Sequence, residues 1–498
     1  MMMTVSACLW LGLFPLLQTG TYAHITKDKW IFMLILTGVS LVCFLIDFLR
    51  APLRRSLSSG KAPSGSFPLI PVILAGCLTF WILLSWILSP LSHTGMLVGL
   101  TSRREGLISQ LCYLGLFFMF AFSRVDKKPV LISAAAGVAA FYIIVRFQQA
   151  GTNPLGLYPA GRVWSPGTEF QGTIGNVDMG TGYLLILAAL FLTGIVNLAK
   201  RLLGTIIRRK GTSPSRRHPE RGKGSVLPRL GIPLIIYLIA LILTVYLIFS
   251  FEVQFGKITL AALLFWTVVS LVPKKWRIPL AILLIVLALA AVWFWPGQGG
   301  GLWELHEMMH GRVQLSFGSN RIGVWYYSLQ LAMERLLVGG GPDSFEIRFN
   351  AFLKEHGYSL PGSQGDLALP TYFDNPHNEY IAHLVNHGLP AMLLFIALIV
   401  AVLFYRQKKK ASGIPEALPD MSCPARGELS PFKAAVFCYA VQAFFSFSIA
   451  ILAPMFWVVL GSAVSSRCSA SPAGKTERPA SPARPGRPDP GRSPSGKR

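Results

Sequence analysis

LGIPLIIYLIALILTVYLIFS, residues 230–250, carries no charged side chain. A helix of that length covers about 30 Å, the hydrocarbon thickness of a bilayer. The core helix of a water-soluble domain would need a polar face, and this stretch has none. Similar apolar runs continue on the C-terminal side at 254–272, 278–296, 379–404, 431–448 and 452–464. On the N-terminal side they lie at 178–198, 129–148, 105–123, 68–89, 30–48 and 5–21. Only 14% of the residues are charged and 52% are hydrophobic, whereas a soluble chain carries about 25% charged residues. The sequence therefore predicts an all-α polytopic membrane protein with about 12 transmembrane helices. The first apolar run has no basic segment before it and a second follows at once, so it reads as a membrane helix rather than a signal peptide.

The net charge of +24 raises nucleic acid as a partner, but the position of the charge argues against it. Basic residues gather at 50–61, 124–128, 200–229, 274–277, 406–433 and 467–498, between or after the apolar runs. Cytoplasmic loops of membrane proteins carry this excess. The expected partner is a lipid bilayer, with both termini cytoplasmic and no nucleic acid. Cys8, Cys43, Cys77, Cys112 and Cys438 fall in apolar runs, and Cys423 and Cys468 in basic segments, so no disulfide framework is expected.

Four regions follow. Residues 1–296 hold nine membrane helices, with a basic, disordered cytoplasmic loop at about 208–229. Residues 297–378 form a large extracytoplasmic loop. Residues 379–466 hold the last three helices, and 467–498 is a disordered basic tail rich in Pro and Arg. No internal repeat of the transporter kind is visible.

The loop is too long for a simple connection and carries its own helical signals. Ile322, Trp325, Tyr326, Leu329, Met333 and Leu336 follow helical spacing over 321–337, and Gly339, Gly340 and Gly341 end it. A second short helix is expected from about Ser344 to Glu355.

The sharpest local feature is Asp374-Asn375-Pro376-His377-Asn378-Glu379-Tyr380. Asn375 suits a helix N-cap and Pro376 the first helical position, which puts His377 in the first turn. The helix dipole there favours a neutral imidazole competent as a base, and the free amides favour an anion. The plainer reading is a cap with an interfacial histidine. Arg321 is the second feature. A cation at a helix N-terminus is electrostatically unfavourable, so another reason for it is expected, and a guanidinium suits a diphosphate. The plainer reading pairs it with Glu304 or Glu307. Arg162 and Arg104 are further exterior arginines, although Arg104 also suits an interfacial anchor. Acidic residues outnumber basic ones in the loop, so an anionic substrate would be held by individual arginines. His383 and His387 have helical spacing but lack an HExxH pattern and an evident third ligand, so no metal or cofactor is expected. No Walker A sequence, GxSxG elbow or DxD pair is present.

These residues resemble the O-antigen ligase and polymerase superfamily of bacterial envelope enzymes. Asp374 to Gly388 is similar to that family's HN-x-x-L…G signature, with Ile381 at the leucine position. Ser319-Asn320-Arg321-Ile322-Gly323-Val324-Trp325 resembles the start of its loop helix, and Val338 to Phe345 the glycine-rich turn after it. Gly172-Thr173-Ile174-Gly175-Asn176, after Arg162, is a fourth likeness. The resemblance implies a metal-independent glycosyltransferase of GT-C-like helical type. It would move a glycan from an undecaprenyl-diphosphate-linked donor to an acceptor hydroxyl on a glycan, lipid or protein. It assigns the essential histidine to His377, the loop arginine to Arg321 and, less closely, a phosphate contact to Arg162. Asn378, Glu379, Asn176 and Arg104 are the remaining expected contacts to diphosphate or glycan. A transporter of lipid-linked sugars or a non-catalytic envelope scaffold are the alternatives. A transporter would place its charges mid-membrane, near broken helices.

Overall fold

The computed structural model describes residues 1–57, 67–210, 226–358, 372–406, 428–447 and 449–465. The chain is a helical membrane protein. Among the described residues, seven helices are long and apolar enough to cross a membrane: Tyr22–Arg50, Leu69–Ile87, Lys127–Gln149, Val177–Ile206, Leu230–Ser250, Gln254–Leu271 and Lys274–Trp293. The other expected runs carry shorter helices at Met2–Leu16, Leu107–Ala121, Leu389–Phe404, Pro431–Gln442 and Ala453–Val464. The Val177–Lys210 helix continues past 208, and the next helix starts at Val226. Helix thus covers both ends of the stretch 208–229. Its remainder and the tail from 467 lie outside the described residues.

Two helices mark the extremes of packing. Val177–Lys210 is central, with every side chain from Tyr183 to Phe191 inaccessible. Lys274–Trp293 has no buried residue, so its apolar surface faces lipid. The first helix is short for a local reason. It winds into π and 3-10 turns that end at Leu16, and the buried Lys29 ammonium donates to Phe14 O and Pro15 O at 3.0 and 2.9 Å. Those bonds satisfy carbonyls that a membrane interior would leave unpaired.

The segment 297–378 carries the helices expected at 321 and 344, observed at Arg321–Glu334 and Phe345–Glu355. It also carries Gly300–Met309, which sequence reasoning missed because it opens on glycines, poor helix formers. Val324, Leu331, Phe345, Phe349, Phe352, Leu384 and Val385 form a second apolar core. Burying each is worth about 1.5–3 kcal/mol, and the last two belong to the Glu379–His387 helix. The loop helices are therefore packed onto the segment that carries Glu379.

The expected single helix 379–404 is broken into Glu379–His387 and Leu389–Phe404. Gly388 and Pro390 are the local signals of that break, a C-terminal glycine and a proline in the first turn of the next helix. Gly388 has φ +85, and a Cβ there would stand 2.1 Å from Leu337 O. The glycine-rich turn seals the joint through main-chain atoms. Gly340 N donates to Val385 O (3.0 Å), Gly341 N to Asn386 O (2.7 Å) and Leu389 N to Leu336 O (2.7 Å). Gly388→Ala is expected to cost at least the left-handed penalty of about 1–2 kcal/mol, and more from the collision. The check is the thermal midpoint of the detergent-purified protein, which should fall. An unchanged midpoint would contradict the joint.

Candidate functional site

The segment before the Glu379–His387 helix is pinned residue by residue. Asn378 Oδ1 accepts from Ile381 N at 3.1 Å, which makes Asn378 the N-cap. Asn375 Oδ1 instead accepts from His377 N at 2.8 Å, closing a tight Asx turn. The cap was expected at Asn375. Both asparagines are capping types, and the one next to the apolar run takes the helix. His377 consequently lies outside the first turn, at φ +47. Trp325 Nε1 donates to Pro376 O at 2.8 Å, Arg103 forms an ion pair with Asp374, and Glu379 N donates to Ala443 O at 2.8 Å. Three parts of the chain distant in sequence thus fix the position of His377.

The charge state of His377 follows from its surroundings rather than from a helix dipole. Burial, and after it the positive charges of Arg321 and Arg103, push its pKa down to about 4, with Asp374 opposing. The imidazole is neutral at physiological pH. Its ring stands perpendicular to that of Phe447 at 5.2 Å, and the Arg103 guanidinium lies over the Phe447 ring at 4.1 Å.

Arg321 opens its helix after two left-handed residues, Ser319 and Asn320. Burial lowers its pKa, while the charges of Asp178 and Glu304 raise it. Neither expected acid is its ion-pair partner. Glu304 accepts from Gly318 N at 2.9 Å and Glu307 binds Arg312, while Arg321 Nη1 donates to Gly318 O at 3.2 Å. Among the described residues, Arg103 Nε, Arg321 Nε and His377 Nδ1 are buried and make no hydrogen bond. Leaving such a group unmade costs about 1–3 kcal/mol, more for a charged one, and here three occur on His377 and the two arginines whose charges act on it.

The structure brings Arg321 and His377 together and adds Arg103. Arg104 turns away, at φ +57, to lie over the Trp30 ring at 5.3 Å. Arg162 is exposed in the connection before the small hairpin Phe170–Gln171/Gly175–Asn176. Asn176 accepts from Asp178 N at 2.9 Å and so caps the Val177–Lys210 helix. Glu379 accepts from the Tyr439 hydroxyl at 2.6 Å. Sequence reasoning missed Arg103, whose only visible signal was its place beside Arg104 at a helix mouth. It also ran the helix expected at 431–448 on past Gln442, where the structure turns at Ala443. That turn supplies Phe447 and the carbonyl that receives Glu379 N.

The loop that carries Arg103 is tied to the glycine-rich turn through Asp343. Thr101 N donates to Asp343 Oδ2 at 2.9 Å and Thr101 Oγ1 to Oδ1 at 3.0 Å. Burial nevertheless raises this carboxyl to about 6. Elsewhere His383 and His387 are buried, 5.7 Å apart, with His383 4.4 Å from Phe395. Among the described residues no group of three or more His, Cys, Asp or Glu could hold a metal ion.

The arrangement offers a neutral imidazole for a proton beside two guanidinium groups for an anion. No curated protein matches the chain. Residues 236–396, which contain Arg321, His377, Asn378, Glu379 and the broken helix pair up to position 396, match the O-antigen ligase family model. That match supports assigning this chain to the O-antigen ligase superfamily.

Proposed function

We propose that the chain is a metal-independent glycosyltransferase of a bacterial inner membrane. It takes a glycan from an undecaprenyl-diphosphate carrier and joins it to an acceptor hydroxyl on the outer face, with both termini in the cytoplasm. The observation that carries this reading is the meeting of a neutral His377 with Arg321 and Arg103, each with a buried unpartnered nitrogen. His377 takes the acceptor proton. The freed oxygen attacks the anomeric carbon, the bond from that carbon to the diphosphate oxygen breaks, and its electron pair leaves on the diphosphate. Arg321 and Arg103 stabilise that departing charge. Arg103 thus joins the contacts expected from sequence, while Asn378 and Asn176 serve as caps that hold the segments in place.

Cells lacking the chain are expected to lose the finished glycan conjugate and to accumulate carrier-linked glycan already on the outer face. An impermeant glycosidase added to intact spheroplasts reads this directly. Glycan protected from that enzyme would favour a transporter instead. The charges argue for an enzyme, since they gather at one end of the bundle rather than mid-membrane.

The pH dependence follows from His377. Its pKa of about 4 lies below the ordinary 6.5. The fold therefore favours the neutral form. The stability this contributes is complete above pH 6.5 and is lost as pH falls from there toward 4. The acid limb of kcat/KM, which reports the free enzyme, is expected near pH 4. Bound diphosphate offsets the two arginines, so the limb of kcat should lie higher. Arg103→Gln should raise the kcat/KM limb. Coincident limbs, unmoved in that variant, would remove the arginines from His377's surroundings. A limb near 6 that disappears in Asp343→Asn belongs to that carboxyl.

A further inference from the structure

The Arg321–Glu334 helix is apolar on two faces, and only one of them is covered by protein. Val324, Tyr327, Leu331 and Ala332 are buried in the loop's own core. On the other side Ile322, Tyr326, Leu329 and Met333 recur at helical spacing and share one face. Tyr326 is 52% exposed, Leu329 51% and Met333 67%, and Leu337, just beyond the helix, is 64% exposed. A soluble surface rarely carries so continuous an apolar stripe. Glu334, at its edge, is paired with Arg348 at 3.1 Å.

The level of the stripe is set by its bonds to a membrane-spanning helix. Trp81 Nε1 donates to Leu337 O at 3.0 Å. Trp81 lies about 9 Å inside the Ile87 end of the Leu69–Ile87 helix. Arg335 Nη2 reaches Leu88 O at 2.6 Å, at the mouth of the same helix. Directly beside Trp81 an open apolar groove of about 530 Å³ runs between Cys77, Phe80, Leu393, Leu394 and Ala397. The exposed stripe is thus continuous with the lipid-facing surface of the bundle, and its C-terminal end lies below the end of a span.

We infer that the Arg321–Glu334 helix is an in-plane membrane helix, its Tyr326–Leu329–Met333 face immersed in the acyl chains of the outer leaflet. The occupant is bilayer lipid, because the stripe prolongs the surface that lipid already covers and lies at the depth of the hydrocarbon edge. The helix then runs from hydrocarbon depth at Leu337 to Arg321, so a lipid-borne anion would reach Arg321 without leaving the membrane surface.

The test is hydroxyl-radical footprinting of the unmodified full chain in nanodiscs of phosphatidylethanolamine and phosphatidylglycerol. Tyr372 is 66% exposed and outside the stripe, so it serves as the internal reference. Met333 should oxidise about tenfold more slowly than Tyr372, although its protein exposure is the same. Oxidation of Met333 at or above the Tyr372 rate would overturn the inference. Protection that grows with protein-to-lipid ratio, together with crosslinking between chains, would assign the face to a second copy and overturn it equally. Spin labels on single cysteines at Met333 and Lys354, with depth read from oxygen accessibility, give a second measurement. Met333 should read as immersed and Lys354 as aqueous. Both measurements use no turnover and give the same answer in an inactive His377→Ala protein, so their outcome is independent of the catalytic reading.

Discussion

His377→Ala is expected to lower glycan transfer at least about 10²-fold, the scale of general-base catalysis, with the protein level in the membrane unchanged. The fold should survive because the hydrogen bonds that place this residue do not use its imidazole. Its amide stays bonded to Asn375 Oδ1, and the Trp325 bond to Pro376 O is untouched. The left-handed backbone at φ +47 already strains histidine, so alanine adds little. His377→Asn is the companion variant, since asparagine tolerates that conformation better and still cannot serve as the base. Both variants inactive at normal abundance is the expected result. Near-wild-type transfer in either would reduce His377 to an interfacial residue beside a cap.

Arg321 should show a graded loss. A guanidinium can present two parallel donors to a diphosphate, whereas an ammonium is a point charge. Arg321→Lys should keep part of the activity, and Arg321→Ala should fall by about 10²–10³-fold, the cost of removing a donor aimed at developing charge. Carrier-linked glycan should accumulate on the outer face in both, cleavable by an impermeant glycosidase. Equal activity of the lysine and wild-type proteins would mean that charge alone matters. Equal activity of the alanine protein would exclude Arg321 from the site. Arg103→Ala carries an added structural consequence, since it also frees Asp374 from its ion pair.

Much of the fold was legible because hydrophobic length is a strong signal. Each apolar run does carry helix, from Met2–Leu16 to Ala453–Val464. Length, however, does not reveal where a run breaks. The reading of 379–404 as one helix runs across Gly388 and Pro390, and the close approach that requires glycine there, Leu337 O occupying the place of a Cβ, comes from a distant part of the chain. Residues 443–447 are apolar enough to read as helix, yet Ala443 and Phe447 turn to meet Glu379 and His377, and nothing local in the sequence announces that contact. Within the site, Arg321 and His377 stood out through capping residues and glycines close to them in sequence. Arg103 did not, because its partners Asp374 and Phe447 are far along the chain. Asn375 and Asn378 compete for one cap, and only packing decides between them.

The joint at Gly339–Gly341 and Gly388 is held by main-chain bonds and by a few inward side chains, among them Arg335 on Gly339 O (2.7 Å) and Arg348 on Val385 O (3.2 Å), so it asks little of the exposed side chains on the rest of the loop. Substitutions can accumulate over the loop's outer surface without shifting the peptide groups that locate it. A lineage could therefore exchange the surface that meets an acceptor while inheriting the reacting imidazole in place. Divergence in what is modified, with constancy in how, is the evolutionary freedom that such a joint permits.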